Sequence, residues 1–509
     1  MNLNKPTSQN INNLSHLKII GISILLSVVG YMCYFFTKAL VNVNNDNEQL
    51  IVVFSWLGIG LVIYVFISWY NLTRSLFDAY TIFMIFFFLF NFGQCFMWAF
   101  GIHDQNEIGA IPIFPNFGVP SPVDIINAQV ITLLGILMFH CGALMCYKKQ
   151  FVKRPIVGKS VDAKKLANSD PYNNITLKSI FLTSAIIGII VIPYQLYTSY
   201  TDFQIAKSYG YIALYYSDYA STNPTMLGLL NKMFFPCLIG LLIGSKFSKR
   251  VRWFVYIVFS IYLILNLLSG DRGSWLYKVV ILVWLSHRCY KPVNFIKGIK
   301  YAVFSIVFLH IVYAIVSIRD TGLSDINLSI INQAFSLEKS PIVTAIFEMG
   351  GSMKPTIVLQ NGGWTDWPYA NTYLLAVLGM VTNKLIYILG IPFELVSAWF
   401  SQDYLGLTWG AGFSIIAEAI LNGGPFFAPI ILLIIGYVIT SIIYISPNFD
   451  YTKRPIRFLF VVSTLSFLIP ITRNELHIQM KDWFYGVVVL ISLITLFRFC
   501  MFKITRKTN

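Results

Sequence analysis

Apolar runs long enough to cross a bilayer constrain this chain more than any other feature. A helix needs about 20 apolar residues to span the hydrocarbon. Twelve such runs can be placed, at residues 18–40, 50–70, 76–100, 125–147, 179–200, 226–245, 253–269, 274–288, 298–317, 425–445, 457–470 and 482–499. Three are short, at 14–17 residues. Only 12% of the 509 residues are charged, against about 25% in a soluble domain. The sequence predicts an all-α, polytopic integral membrane protein of about 12 transmembrane helices, a single membrane domain over residues 1–509. Soluble enzymes, disulfide scaffolds and disordered tails are excluded. The first run lacks a small-residue cleavage site, so it is expected to remain as a helix. The seven cysteines fall mostly inside apolar runs without ligand spacing, and read as packing residues.

The basic residues set the orientation. With both termini on the cytoplasmic side, 26 of the 37 Lys and Arg fall in inner connections. Eight belong to the basic 148–178 loop, and only Asp162, Asp170 and Asp450 oppose them across the inner connections. That is the positive-inside pattern. It accounts for the net charge of +15 through lipid headgroups alone. The cations do not share one soluble face, which excludes a nucleic acid partner.

Residues 318–424 then form a large outer, periplasmic loop, and long loops are usually functional. Within it 374–391 and 405–421 are apolar. Were both full crossings, 392–404 would be an inner loop holding Glu394 and Asp403 without a single Lys or Arg. The two stretches are therefore expected to be re-entrant or interfacial, lining a cavity or buried in protein. Ser340-Pro341 before and Gly350-Gly351 after predict a short capped helix. No internal repeat is visible, which weakens a transporter reading.

Charges near the membrane need an account. Three outer turns present Arg272, Arg319 and Arg473 at similar depth. Guanidinium forks match phosphate oxygens bidentately, so together they suit a diphosphate; singly, each could pair with Asp271, Asp320 or Glu475, or snorkel. Lys278 either extends that anion site or snorkels. His140 and His310 lie within spans and read as core, whereas His477, near Arg473 and Glu475, is expected at the outer surface, where a histidine can move protons. Asp366 lies between Trp364 and Trp367 with Tyr369 beside them. Aromatic faces next to a carboxylate suit sugar rings, although Trp and Tyr also form interface belts.

The most specific string runs from Trp409 to Pro425, WGAGFSIIAEAILNGGP. Small residues open it, Glu418 sits in an otherwise apolar helix, and Asn422-Gly423-Gly424 ends it before Pro425 starts a span. At this string the chain resembles the bacterial oligosaccharide repeat-unit polymerases, the Wzy or O-antigen polymerase family, which carry a G-x-G-F-S-x-x-A-E…N-x-G pattern before a late span. The Gly270-Asp271-Arg272-Gly273 turn and the large outer loop resemble theirs as well. The Arg-x10-Gly pattern of some members is absent: the eleventh residues after Arg272, Arg319 and Arg473 are Val283, Ile330 and Phe484.

The resemblance implies a metal- and cofactor-independent glycosyltransferase of the bacterial inner membrane. Its substrate would be an oligosaccharide repeat unit on undecaprenyl diphosphate at the outer face, with a flippase and a chain-length regulator as partners. The arginines would bind the diphosphate, and Glu418, His477 or Asp366 would accept the proton of the attacking hydroxyl. The product would be O-antigen or a related surface polysaccharide. Two other functions compete. An O-antigen ligase would want a histidine in the outer loop, and 318–424 has none. A polysaccharide flippase or transporter is the alternative without group transfer.

Overall fold

The computed structural model describes residues 8–40, 48–152, 171–209, 225–271, 275–292 and 340–508, with single positions at 214 and between 296 and 310. These residues are helical almost throughout and form no strand. Ten of their helices are long and apolar enough to cross a membrane. In chain order the first nine helices are α1 (Ser8–Leu40), α2 (Glu48–Thr73), α3 (Ala79–Trp98), α4 (Pro122–Val152), α5 (Pro171–Tyr209), α6 (Thr225–Asn231), α7 (Phe234–Gly244), α8 (Lys249–Ser269) and α9 (Leu276–Cys289). There follow α10 (Pro341–Gly350), α11 (Lys354–Gln360), α12 (Thr372–Gly379), α13 (Lys384–Ile388), α14 (Val396–Ala398), α15 (Ile415–Ile443), α16 (Pro455–Leu468), α17 (Leu476–Trp483) and α18 (Leu490–Thr508). A π-helical run, Phe484–Val489, joins α17 to α18, and the resulting helix, Leu476–Ile504, is long and apolar enough to cross as one span.

Burial sorts these helices into an inner and an outer set. In their most apolar stretches α3 and α4 are 83% buried, whereas α1 and α2 are 17% buried and turn Leu25, Met32, Phe36 and Leu57 outward. Apolar side chains are as comfortable in lipid tails as in protein, so what draws membrane helices together is close packing over small residues. The α4–α15 seam shows it. A Cβ on Gly142 would fall 2.0 Å from the Leu433 carbonyl oxygen, and one on Gly436 2.1 Å from that of Phe139. Gly93 of α3 and Gly350 of α10 do the same, so that Gln94 Nε2 donates to the Phe347 carbonyl at 2.8 Å. His140 is a core residue, as its position mid-span suggests, bonded to Ser68 Oγ at 2.8 Å and Tyr80 Oη at 2.7 Å.

Two spans differ from the sequence reading. The helix capped by Ser340-Pro341 forms, but Gly351–Met353 continues it as 3₁₀ turns into α11. Residues 342–360 are thereby long and apolar enough to cross, packed on α3. The run at 226–245 is broken near Lys232 into α6 and α7. The run at 298–317 lies almost wholly outside the described residues. The Asn422-Gly423-Gly424 break falls where expected: α15 is two helical segments that meet at a kink at Gly424, whose φ of 69° and ψ of 171° are not helical, before Pro425. That backbone region is open essentially to glycine alone. The apolar 374–391 stretch is the α12–α13 hairpin. It exposes Leu374, Val377, Leu385 and Ile388 and packs its other face on α17, where Tyr485 Oη donates to the Val381 carbonyl at 2.7 Å.

Candidate functional site

The turn at 473–475 between α16 and α17 is the hub. Asn91 of α3 holds it from one side, its Nδ2 donating to the Thr472 carbonyl at 2.9 Å. The Arg473 side chain is exposed, with its guanidinium 5.7 Å from the centre of the Phe90 ring. That face contact attracts a cation and leaves the N–H donors of the fork for another partner. The Arg473 carbonyl accepts from Phe413 N at 3.4 Å, which brings the glycine-rich 409–414 segment against the turn. Arg272 and Arg319 lie outside the described residues.

Ser414 starts α15, with extended backbone and Oγ accepting from Ala417 N at 3.1 Å, the ordinary N-cap arrangement. Glu418 follows one turn later and is fully buried. Its Oε1 accepts from Thr372 Oγ1 and its Oε2 from Leu476 N, each at 2.8 Å. Asn422, one turn further, donates to Thr372 Oγ1 at 2.7 Å and accepts from Thr372 N at 2.8 Å. The acid thus ties together the starts of α12 and α17 and the first turns of α15. Burying a carboxylate is costly unless hydrogen bonds compensate, and here both oxygens are engaged.

Glu475 is also buried, at 1% exposure. Its Oε2 accepts from Ser397 N at 2.8 Å, which caps the helical segment 396–404. Burial pushes its carboxyl up to about 7. His477 is not at the surface, as its polar neighbours suggest, but 3% exposed. The α12–α13 hairpin covers it: the ring lies 4.7 Å from that of Phe393, against Gly379, where a Cβ would fall 2.1 Å from it. Its Nε2 bonds Asn383 Oδ1 at 3.1 Å.

The aromatic residues divide. Trp367 meets Tyr369 at 4.9 Å and Trp399 at 5.0 Å, both edge to face, and Trp399 lies 5.3 Å from Tyr404. These four form one shelf. Tyr369 Oη donates to Glu394 Oε2 at 3.1 Å, a bond that raises the phenol's pKa. Burial and the adjacent Asp403 raise that of Glu394. Asp366 is exposed at the Tyr404 edge of the shelf, close enough that its charge raises the tyrosine's pKa after burial has done so. Trp364 packs elsewhere, over the α15 kink, where a Cβ on Gly424 would come within 3.2 Å of it.

The structure therefore gathers Arg473, Glu418 and His477 around one turn, and Trp367, Tyr369 and Asp366 around one shelf. Ser397 and Trp399, two residues apart on one helical segment, join the two groups. Sequence reasoning passed over Glu475 and Trp399, and did not connect Glu394 and Asp403 with the shelf. The missing positive charge in 392–404 is the signal that marks out that segment.

The fold defines an all-α integral membrane protein, with buried acids, an exposed arginine and an aromatic cluster gathered around one turn and the segment beside it. The family described as O-antigen polysaccharide polymerase Wzy matches residues 17–504, nearly the whole chain, and the protein belongs to that family. No curated protein and no solved structure matches it.

Proposed function

We propose that the protein joins oligosaccharide repeat units carried on undecaprenyl diphosphate, at the outer face of the bacterial inner membrane, into O-antigen or a related surface polysaccharide. The observation that carries this is the junction at Glu475: one hydrogen bond sets the Arg473 turn against the Ser397–Trp399 segment. An anion-binding fork and a sugar-binding shelf then serve a single reaction. Arg473, with Arg272 and Arg319, holds the donor's diphosphate and stabilises its departing charge, in place of a metal ion. Trp367 and Tyr369, backed by the buried Trp399, take the acceptor sugar's apolar face, and Asp366 and Glu394 take its hydroxyls. Trp364 sets the kink of α15 beside them. We read Glu418 as the brace of the site, because both its oxygens hold backbone or side-chain partners, and His477 as the wedge that seats the α12–α13 hairpin. The orientation argued from charge, with 361–414 outside and 148–178 inside, favours a site on the periplasmic side, where a flippase delivers units and a chain-length regulator acts.

The surface glycan of a strain lacking this protein tests the proposal. It should carry one repeat unit where the parent carries a ladder. A strain with no repeat unit at all would point to ligation or flipping, and an unchanged ladder would exclude all three.

A further inference from the structure

We propose that Glu475 is a further catalytic residue of this site, the group that takes the proton of the acceptor sugar's hydroxyl as the glycosidic bond forms. The inference rests on the polymerase reading and adds to it a residue that the motif does not contain. The two oxygens of Glu475 are not alike. Oε2 is bonded to Ser397 N, which fixes the side chain. Oε1 is enclosed and makes no hydrogen bond of ordinary geometry among the described residues, although the Ser397 hydroxyl and the Val396 N–H lie close enough to the carboxyl to favour its charged form. A buried acceptor left without a donor costs about 1–3 kcal/mol, and nearly all such groups in folded proteins are paired. A donor that arrives with the substrate would complete the bonding of this oxygen. Glu418, 58 residues earlier along the chain than its partner Leu476, shows the contrast, since neither of its oxygens is open.

The surroundings fit the role. Ser397, whose N–H holds the carboxylate, is two residues from Trp399, which meets Trp367 of the shelf at 5.0 Å, so the shelf and the carboxylate are held by one short helical segment. Arg473, two residues before Glu475, sets a cation where the diphosphate departs. The stretch Trp399–Tyr404 is wound as a π-helix, a looser winding that recurs at functional sites. Because Glu475 is 1% exposed, the assignment requires this turn to move for an acceptor hydroxyl to reach it. His477 also has an unpaired ring nitrogen, Nδ1, but its ring is wedged against the hairpin, at Gly379 and Phe393.

The step balances without a co-reactant. The acceptor's hydroxyl oxygen bonds to the donor's anomeric carbon, and its proton passes to Glu475 Oε1. The bond from that carbon to the diphosphate oxygen breaks, and the diphosphate leaves with the electron pair. Glu475 then returns the proton to water. A carboxyl held up to about 7 by burial is matched to proton transfer at neutral pH. Among the titratable groups, Glu418 on α15 lies close enough to feel the Glu475 charge, and Arg473 and His477 flank it within two residues of chain.

Glu475→Gln tests the assignment, because the amide keeps an oxygen for Ser397 N–H and nearly the same volume while losing the base. The full-length protein in nanodiscs is assayed on lipid-diphosphate-linked repeat units. We expect kcat to fall by roughly 10²–10⁴-fold, with KM unchanged and no fall in melting temperature. Glu475→Asp should recover part of the rate. The wild-type rate should fall as pH drops through about 7, and the residual rate of Glu475→Gln should be flat there. A Glu475→Gln kcat within about threefold of wild type, far short of a general-base effect, overturns the assignment. So does a wild-type rate with no acid limb, which settles the matter even if the amide variant folds poorly. A wild type that makes no polymer sinks the polymerase reading and this assignment together, whereas a working wild type matched by Glu475→Gln sinks the assignment alone.

Discussion

Glu418 is the residue on which the motif and the structure give different emphasis, and two substitutions separate a brace from a proton acceptor. Glu418→Ala strips the partner from Leu476 N–H, a buried donor at the start of α17, and from Thr372 Oγ1, and leaves space in a fully buried site. An unpaired buried donor costs about 1–3 kcal/mol. The Thr372 hydroxyl can turn, and removing a carboxylate also removes its desolvation cost. The net loss should be about 2–4 kcal/mol. Unfolding entropy scales with chain length, so for a chain this long each kcal/mol moves the melting temperature by on the order of 1–2 °C. Glu418→Gln is different. Its amide oxygen still accepts from Leu476 N, and its amide nitrogen donates to Thr372 Oγ1, which already accepts from Asn422. That exchange should cost under about 1 kcal/mol. The assay is intrinsic-fluorescence melting of purified protein in one detergent, run beside polymerisation turnover. The alanine variant should melt lower by several degrees, and the glutamine variant should match wild type in melting and stay within about threefold in turnover. A glutamine variant that melts normally yet loses turnover a hundredfold or more, the scale of a missing base, would refute the brace and make Glu418 the proton acceptor.

Three further outcomes are expected. Arg473→Ala should abolish polymer at normal protein level, and Arg473→Lys should restore little of it because an ammonium lacks the planar fork; full polymer in the alanine variant would leave the Phe90 contact as the whole role of Arg473. Gly424→Ala should lower stability by about 1–3 kcal/mol, since alanine resists that backbone conformation and its Cβ would press on Trp364; an unchanged melting temperature would mean that the kink relaxes freely. Burial raises the Glu475 carboxyl from 4.5 to about 7, so the folded protein keeps a proton over a range where the unfolded chain releases it. That contribution to stability is complete below about pH 4.5 and is lost as pH rises through 7, up to about 3 kcal/mol in all. Wild type should therefore lose more melting temperature over that range than Glu475→Gln, and parallel curves would contradict the shift.

Much of the fold is legible because hydrocarbon thickness fixes helix length, and glycine and proline mark where helices break. The Gly423-Gly424-Pro425 kink and the Ser340-Pro341 start follow from backbone sterics alone. Residues 342–360 were harder to read, since Lys354 and the Gly350-Gly351 pair suggest an end where the chain only tightens into 3₁₀ turns. The site was partly legible. Local pattern exposes Glu418, Arg473, Trp367 and Tyr369. It does not expose the pairing of Glu475 with Ser397, 78 residues away, nor the hairpin that buries His477, whose bonded partner Asn383 lies 94 residues earlier. Such contacts depend on how distant helices pack, and a polar neighbourhood in sequence then passes for a solvated one.

Reconstitution tests the central claim most directly. The purified protein in nanodiscs is given a polyprenyl-diphosphate-linked repeat unit and nothing else, and the products are resolved by length. The account predicts a ladder of carrier-linked glycans spaced by one repeat unit, with one free carrier diphosphate released for each bond formed. Substrate that stays at one repeat unit, with no carrier released, would contradict it.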